Sequence, residues 1–408
     1  MVIKPMVRNN ICLNSHPTGC TVSVRQQIDF AKKNLKPQHG ITPKLALIIG
    51  CSNGYGLASR IAAAFGYGAV TVGISREKPA SERHTATPGF YNNLCFDHEA
   101  EKAGLIAKTL DGDAFSDELK AEAVTALRQC AAAANIPAIP DLIIYSIASP
   151  VRVDPRTGVT WKSVIKPIGR SFSGKTLDMM SGNFGTANIE AATEEEILNT
   201  VKVMGGEDWE LWMEALEKEG LLSPQTRTVA YTYIGPEHSW PIYKNGTIGI
   251  AKEDLERAAV NIRKTYSGKI AGAWVSVNKA LVTRASAVIP VIPFYVSCLF
   301  KVMKAMGLHE GCIEQITRLY KDRLYADGDI AKLPCDSEGR IRIDDWEMRT
   351  DVQEAVMQKM NTIQPDNVWE ETDISGFRHD FLEAHGFDVA GVDYDADVDP
   401  GGEIHSFK

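Results

Sequence analysis

Leu45-Ala-Leu-Ile-Ile-Gly50-Cys-Ser-Asn-Gly54-Tyr-Gly56-Leu-Ala-Ser-Arg60 is the stretch that decides how this chain folds. Five consecutive apolar residues, Leu45–Ile49, read as a strand buried on both faces. The run stops at Gly50, and helix-like sequence follows over 55–65. A glycine-rich turn between a strand and a helix meets a definite need. The first glycine permits the tight turn, the second lets backbone approach a pyrophosphate, and the third lets the helix pack close to the strand. The helix N-terminus then offers free N–H groups and the positive end of its dipole. This turn therefore points to a bound dinucleotide.

The same grammar continues outward. Apolar runs at 69–74, 105–110, 142–146, 228–234 and 273–277 alternate with helical stretches at 117–134, 209–218 and 252–264. Strands alternating with helices predict an α/β fold, a Rossmann-type doubly wound parallel sheet covered on both faces. The polar stretch 151–206, rich in Gly, Ser and Lys, breaks the alternation between the fourth and fifth strands. Such an insertion beside the ligand-binding edge reads as a lid or substrate wall. The expected organisation is one enlarged domain: an N-terminal extension (1–43), a dinucleotide-binding core (44–150 and 228–330), a substrate-side insertion (151–227), and an acidic C-terminal cap with a solvated tail (331–408).

With 44 Lys and Arg against 52 Asp and Glu, the 408-residue chain has a net charge of −8, which argues against a nucleic-acid partner. Eight scattered cysteines without a CxxC pair read as free thiols in a reducing compartment. No apolar run is long enough to span a membrane. The expected setting is the cytoplasm, or the mitochondrial matrix if a leader has been removed, with a monomer as the favoured unit.

Competing motifs overlap the turn and the insertion. Gly50-x-Ser52-x-Gly54 also spells the nucleophile elbow of a hydrolase, with Ser52 as nucleophile and His379 or His385 as distant base. Here, however, it follows the first strand and not a later one. Gly169-Arg-Ser-Phe-Ser-Gly174-Lys175-Thr176 matches the P-loop pattern, but the run before it contains Pro167 and the one after it soon meets Gly182, so it reads as a chance match. Cys12, His16 and Cys20 fall one ligand short of a structural zinc site. His309 and Cys312, placed one turn apart on a predicted helix, lack partners. No metal site is expected.

Arg76-Glu77 follows the second strand, where an acidic residue can take the adenosine ribose hydroxyls and favour NADH. Arg76 beside it would tolerate a 2′-phosphate, leaving room for NADPH. Tyr243 and Lys252 lie nine positions apart, which on one helix would put them on opposite faces. Asn245-Gly246 predicts a helix that starts near Thr247, leaving Tyr243 in the preceding loop, free to fold back toward Lys252. A nearby ammonium would strengthen the phenol as an acid.

Long motifs extend this reading: VIKPMVRNNICLNSHPTGC (2–20), GCSNGYGLASR (50–60), PGFYNN (88–93), GDAFSDE (112–118), YSIASPVR (145–152), MGGEDWELW (204–212), SVNKALVTRASAVIPVIPFY (276–295), HEGCIEQITRLY (309–320) and GFDVAGVDYDADV (386–398). Together they resemble the trans-2-enoyl-CoA reductase and V-type enoyl-ACP reductase family, of the short-chain dehydrogenase/reductase superfamily, over nearly the whole chain. The resemblance implies an enlarged short-chain-reductase fold and an NADH-dependent oxidoreductase of fatty acid synthesis. Its substrate would be an enoyl-CoA or enoyl-ACP thioester. It carries cofactor contacts to Gly50, Cys51, Ser52, Asn53, Gly54, Tyr55, Arg76, Glu77, Asp113, Ala114, Ser146, Ile147, Lys252, Leu281, Val282 and Thr283. It makes Tyr243 the catalytic tyrosine, partnered by Lys252, and Tyr233 a substrate contact. Many relatives hold an aromatic residue where Arg76 stands, which loosens the cofactor preference. Trp209, Trp212 and the apolar run 290–300 are candidates to line the acyl site, with core packing as the alternative.

Overall fold

The computed structural model describes every residue except 9–10, 39–40, 83, 285, 287–288, 290, 327–332 and 403–408. The first position of the 290–300 run and the last six residues of the acidic tail thus lie outside the described residues. Seven parallel strands form the main sheet: β1 (Leu45–Ile49), β2 (Val70–Ser75), β3 (Ala107–Asp111), β4 (Leu142–Tyr145), β5 (Arg227–Thr232), β6 (Gly272–Val277) and β7 (Ile341–Arg342). Their order is β7-β6-β5-β4-β1-β2-β3. The chain winds outward from β1 to β3, returns to β4 beside β1, and winds the other way. The crevice above β1 and β4 is the topological switch point where such sheets bind ligands. The Rossmann-type reading of the sequence therefore holds, and six of the seven strands coincide with its apolar runs.

Helices cover both faces. On one lie α1 (Pro17–Asn34), α2 (Gly54–Ile61), α3 (Pro88–Lys102) and α9 (Cys312–Leu319), which share a core with Ala46, Ile48, Leu142 and Ile144. On the other lie α4 (Asp117–Ala133), α6 (Glu207–Lys218) and α7 (Thr247–Thr265), packed on Leu47, Ile49, Val72 and Ile143. Successive strand residues point to opposite faces, so the unbroken apolar runs supply both cores. Trp209 and Trp212 are fully buried in the second core and donate to Thr228 Oγ1 (2.8 Å) and the Ala114 carbonyl (3.1 Å). They are core residues and not an acyl wall.

A third apolar cluster stands beyond the C-terminal strand ends. It joins α8 (Ile292–Ala305), α10 (Thr350–Thr362) and α11 (Ile374–Glu383) to Tyr243, Ile248, Leu281 and Val282. Helix α8 buries eleven of its fourteen residues and leaves only Lys301, Lys304 and Ala305 at the surface. The insertion supplies a hairpin, Phe172–Leu177 paired with Phe184–Ile189, and the helix α5 (Glu194–Met204). It is stitched to the start of α7: Thr247 donates to the Val164 carbonyl at 2.5 Å, and its N–H to the Lys166 carbonyl at 3.0 Å. The cap is more than a cover, since it contributes β7 to the main sheet. A two-residue strand is too short to leave a periodicity in sequence. The tail's aspartates are exposed, as expected of a solvated segment, yet its backbone is tethered. The N-terminal ammonium and Lys4 bond the Val398 carbonyl and Asp395, and Tyr91 donates to the Pro400 carbonyl. No described helix is long and apolar enough to cross a membrane.

One buried ion pair ties the second core together. Lys120 on α4 meets Asp208 on α6 at 2.9 Å, with both side chains at least 96% buried. Lys120 also donates to the Phe115 carbonyl (2.9 Å) and Tyr145 to Asp208 (3.1 Å), so the charges are well solvated by the protein. Removing one partner strands the other in a dry site. Asp208→Ala is expected to cost about 3–5 kcal/mol in urea denaturation. Glu214→Ala, which breaks the exposed pair with Arg156, is expected to cost no more than about 1 kcal/mol.

Candidate active site

The glycine turn is built as its spacing demands. Gly50 has φ +90°, and a Cβ there would sit 2.2 Å from the Ser146 carbonyl oxygen. A Cβ on Gly56 would lie 1.8 Å from the Gly50 carbonyl oxygen. Strand β1, the end of β4 and helix α2 can cross this closely only with hydrogen at both positions. Asn53 caps α2 with no side-chain hydrogen bond, so the first amides of the helix stay available to an anion. Thr283 Cγ2 lies 3.6 Å from where a Cβ on Gly54 would stand, which brings the 281–283 strip to the turn.

The flanking residues gather at the same sheet edge. Glu77 accepts from Ser52 Oγ (2.6 Å), Asn53 Nδ2 (3.2 Å) and Thr87 Oγ1 (2.5 Å), so its carboxylate braces the turn from the tip of β2. Arg76 is largely exposed and reaches Asp113 at 3.2 Å. Ala114 and Ser146-Ile147 lie at the ends of β3 and β4. The Tyr55 hydroxyl meets the Lys279 carbonyl (3.1 Å) and Gln315 Oε1 (2.9 Å), clamping α2 to the exit of β6.

Helix α7 begins at Thr247, as the Asn-Gly break predicts, and Tyr243 sits in the preceding turn. The Tyr243 ring packs edge-on against Tyr233 with centroids 5.0 Å apart. Among the described residues its hydroxyl has no hydrogen-bond partner. Lys252 donates to the Tyr231 carbonyl at 3.3 Å. Burial drives the Tyr243 pKa up, and burial pulls Lys252 down to about 8. The expectation that the ammonium acidifies the phenol is therefore not met, because desolvation dominates.

Several residues here carry no signal legible in the sequence. Glu347, from the segment after β7, is fully buried and accepts from the hydroxyls of Tyr233 (3.0 Å) and Tyr295 (2.6 Å) and from the Ala280 N–H (2.7 Å). Thr232 Oγ1 and Asn278 Nδ2, at the ends of β5 and β6, are buried without partners. Neither a lone glutamate 66 positions past Leu281 nor strand-end polar residues carry a motif.

The rival motifs dissolve. Ser52 gives its proton to Glu77; His379 is spent on Asp388 (3.0 Å) and His385 on the Phe381 carbonyl (3.0 Å), so no base attends the serine. Residues 172–176 of the P-loop match lie in a hairpin strand, Phe172–Leu177, with Lys175 over the Phe184 ring. His16 is the N-cap of α1, and Cys12 bonds the Asn14 carbonyl. His309 precedes α9 and is not on it.

Comparison with known proteins identifies the family to which the chain belongs. Residues 84–325 match the trans-2-enoyl-CoA reductase catalytic region, and residues 2–82 the NAD(P)H binding domain of trans-2-enoyl-CoA reductase. The chain is 55% identical to the trans-2-enoyl-CoA reductase (NADH) of Treponema denticola, covering 98% of this chain and 99% of that one. It is 50% identical to an enoyl-acyl-carrier-protein reductase (NADH) of Opitutus terrae over 98% and 99% of the two chains. The crystal structure of the Treponema protein in complex with NAD superposes with a TM-score of 0.91, covering 98% of each chain. That of a Clostridium acetobutulicum trans-2-enoyl-CoA reductase with NADH, 42% identical and covering 98% of each chain, also gives 0.91.

Residues 335–398 match a model described as an enoyl reductase FAD binding domain. The residues present do not fit a flavin dinucleotide. The segment holds seventeen acidic and five basic side chains, and no glycine turn joins a strand to a helix in it. Its apolar side chains, among them Val352, Val356, Phe377 and Phe381, are spent in the core against α8. With all three models and full-length relatives matched, this chain belongs to the trans-2-enoyl-CoA reductase and V-type enoyl-ACP reductase family.

Proposed function

We propose that this chain uses NADH to reduce the C2=C3 double bond of trans-2-enoyl thioesters in fatty acid synthesis, with CoA as the preferred carrier and the cytoplasm as its setting. The observation that carries the reading is the hydroxyl of Tyr243, unpartnered among the described residues, on a side chain set in one apolar cluster with Leu281 and Val282 beside the glycine turn. When bound, NADH supplies a hydride to C3 of the acyl chain. Negative charge then develops on the thioester oxygen, where a preorganised donor in a dry site lowers the barrier most. Tyr243 is that donor, and its proton or that of a relayed water completes C2. A phenol that burial keeps neutral is suited to donating a hydrogen bond rather than to acting as an anion.

The uncapped start of α2 and the backbone of Gly50–Gly54 would hold the pyrophosphate, and Lys252 the nicotinamide ribose. Glu77 disposes the adenosine side toward NADH, while exposed Arg76 leaves room for a 2′-phosphate. Carrier protein in place of CoA is the second reading, favoured by the names of the relatives near 50% identity.

NADH oxidation followed at its absorbance band, with crotonyl-CoA and crotonyl-ACP in parallel, tests the activity. Turnover with crotonyl-CoA is expected to exceed that with the ACP thioester, and NADH to outperform NADPH in kcat/KM. No oxidation with either thioester would discard the reductase reading. Tyr243→Phe is expected to lower kcat roughly 100- to 1000-fold with NADH affinity unchanged. Turnover near that of the wild type would remove Tyr243 from the chemistry. Lys252 carries its charge below about pH 8 and loses it above. The kcat/KM for NADH is therefore expected to fall as pH rises through that value, and a flat profile up to pH ~10, near the ordinary lysine value, would contradict the ribose role.

A further inference from the structure

Glu347 is a buried carboxylate whose partners are all donors. Its Oε1 receives both the Tyr233 and the Tyr295 hydroxyls, at 3.0 and 2.6 Å, and its Oε2 receives the Ala280 N–H at 2.7 Å. Two of these directions are fixed from outside. The Ala280 N–H is backbone and can only donate. Gln353 Nε2 donates to the Tyr295 hydroxyl at 3.2 Å and to the Glu347 carbonyl at 2.7 Å. Tyr295 therefore accepts from Gln353 and passes its own proton to Glu347. A phenol has one proton. With Glu347 ionised, that of Tyr233 is committed to it, which leaves only acceptor capacity on its hydroxyl for the pocket it shares with Tyr243.

We infer that Glu347 is a positioning residue for enoyl reduction: it holds Tyr233 as an acceptor, so that of the two facing phenols only Tyr243 keeps a proton for the acyl group. This rests on the reductase reading above. The two tyrosines are then unequal by construction. Tyr243, with no partner of its own, donates; Tyr233, its proton drawn inward, accepts. The same carboxylate grips the Ala280 amide one residue before the Leu281–Thr283 strip, so one side chain sets both the acyl side and the cofactor side.

A double-mutant cycle between Glu347→Gln and Tyr233→Phe tests this in the full chain with NADH and crotonyl-CoA. A glutamine can keep the Ala280 N–H on its carbonyl oxygen and turn its NH2 to the phenols, which then accept and release the Tyr233 proton into the pocket. Glu347→Gln is expected to lower kcat about tenfold in the wild-type background and less than twofold in Tyr233→Phe, with KM for NADH within twofold in both. Equal losses in the two backgrounds overturn the inference, because Glu347 then acts on the fold alone. If Glu347→Gln does not fold, proton NMR of the wild-type chain decides. A slowly exchanging downfield hydroxyl resonance that disappears in Tyr233→Phe supports the inference, and its absence from the wild type overturns it. A wild-type chain that oxidises no NADH fails the reductase reading and takes this inference with it. An active wild type with additive variants sinks this inference alone.

Discussion

The backbone crossing of Gly50, Gly56 and Ser146 is the constraint on which the site depends. Two strands and a helix meet there at separations that leave no room for a Cβ, and all other cofactor-side positions are measured from that point. The approach brings the free amides of α2 to the crevice between β1 and β4, where the sheet's winding changes direction. Glu77 then braces the turn by accepting hydrogen bonds from the Ser52 hydroxyl and the Asn53 amide, which makes it a preformed cradle. A ligand meeting such a cradle need not organise it, and that saving appears as affinity.

The substrate side is organised differently, by burial rather than by backbone geometry. The insertion is pinned to the first turn of α7 through Val164, Lys166 and Thr247, so the loop bearing Tyr243 is held between two elements distant in sequence. Helix α8 and the helices after β7 close the apolar cluster around it. In this dry surrounding the phenol stays neutral and the Lys252 ammonium is weakened, both for the same electrostatic reason: a charge leaves water at a cost.

The fold could be read from the sequence wherever one local pattern sufficed. Six strands announced themselves as apolar runs, the glycine spacing located the crevice, and Asn245-Gly246 placed the start of α7. What escaped was non-local. β7 is two residues long and becomes a strand only because β6 offers an open edge. Glu347 gains its role from partners that lie up to 114 positions away. The tryptophans of α6 misled because a large aromatic carries the same hydrophobic signal in a core as in a pocket wall; only the hydrogen bonds of their indoles to Thr228 and Ala114 assign them.

The late position of β7 and Glu347 also orders events during synthesis. Chains emerge from the ribosome N-terminal end first, and domains begin to fold as they appear. Most of the main sheet is complete by Val277, yet Tyr233 and the Ala280 amide wait for a carboxylate translated 114 and 67 residues after them. A nascent chain can therefore assemble its glycine-turn crevice well before the contacts of Tyr233 and Ala280 with Glu347, which form only once the segment after β7 has left the tunnel.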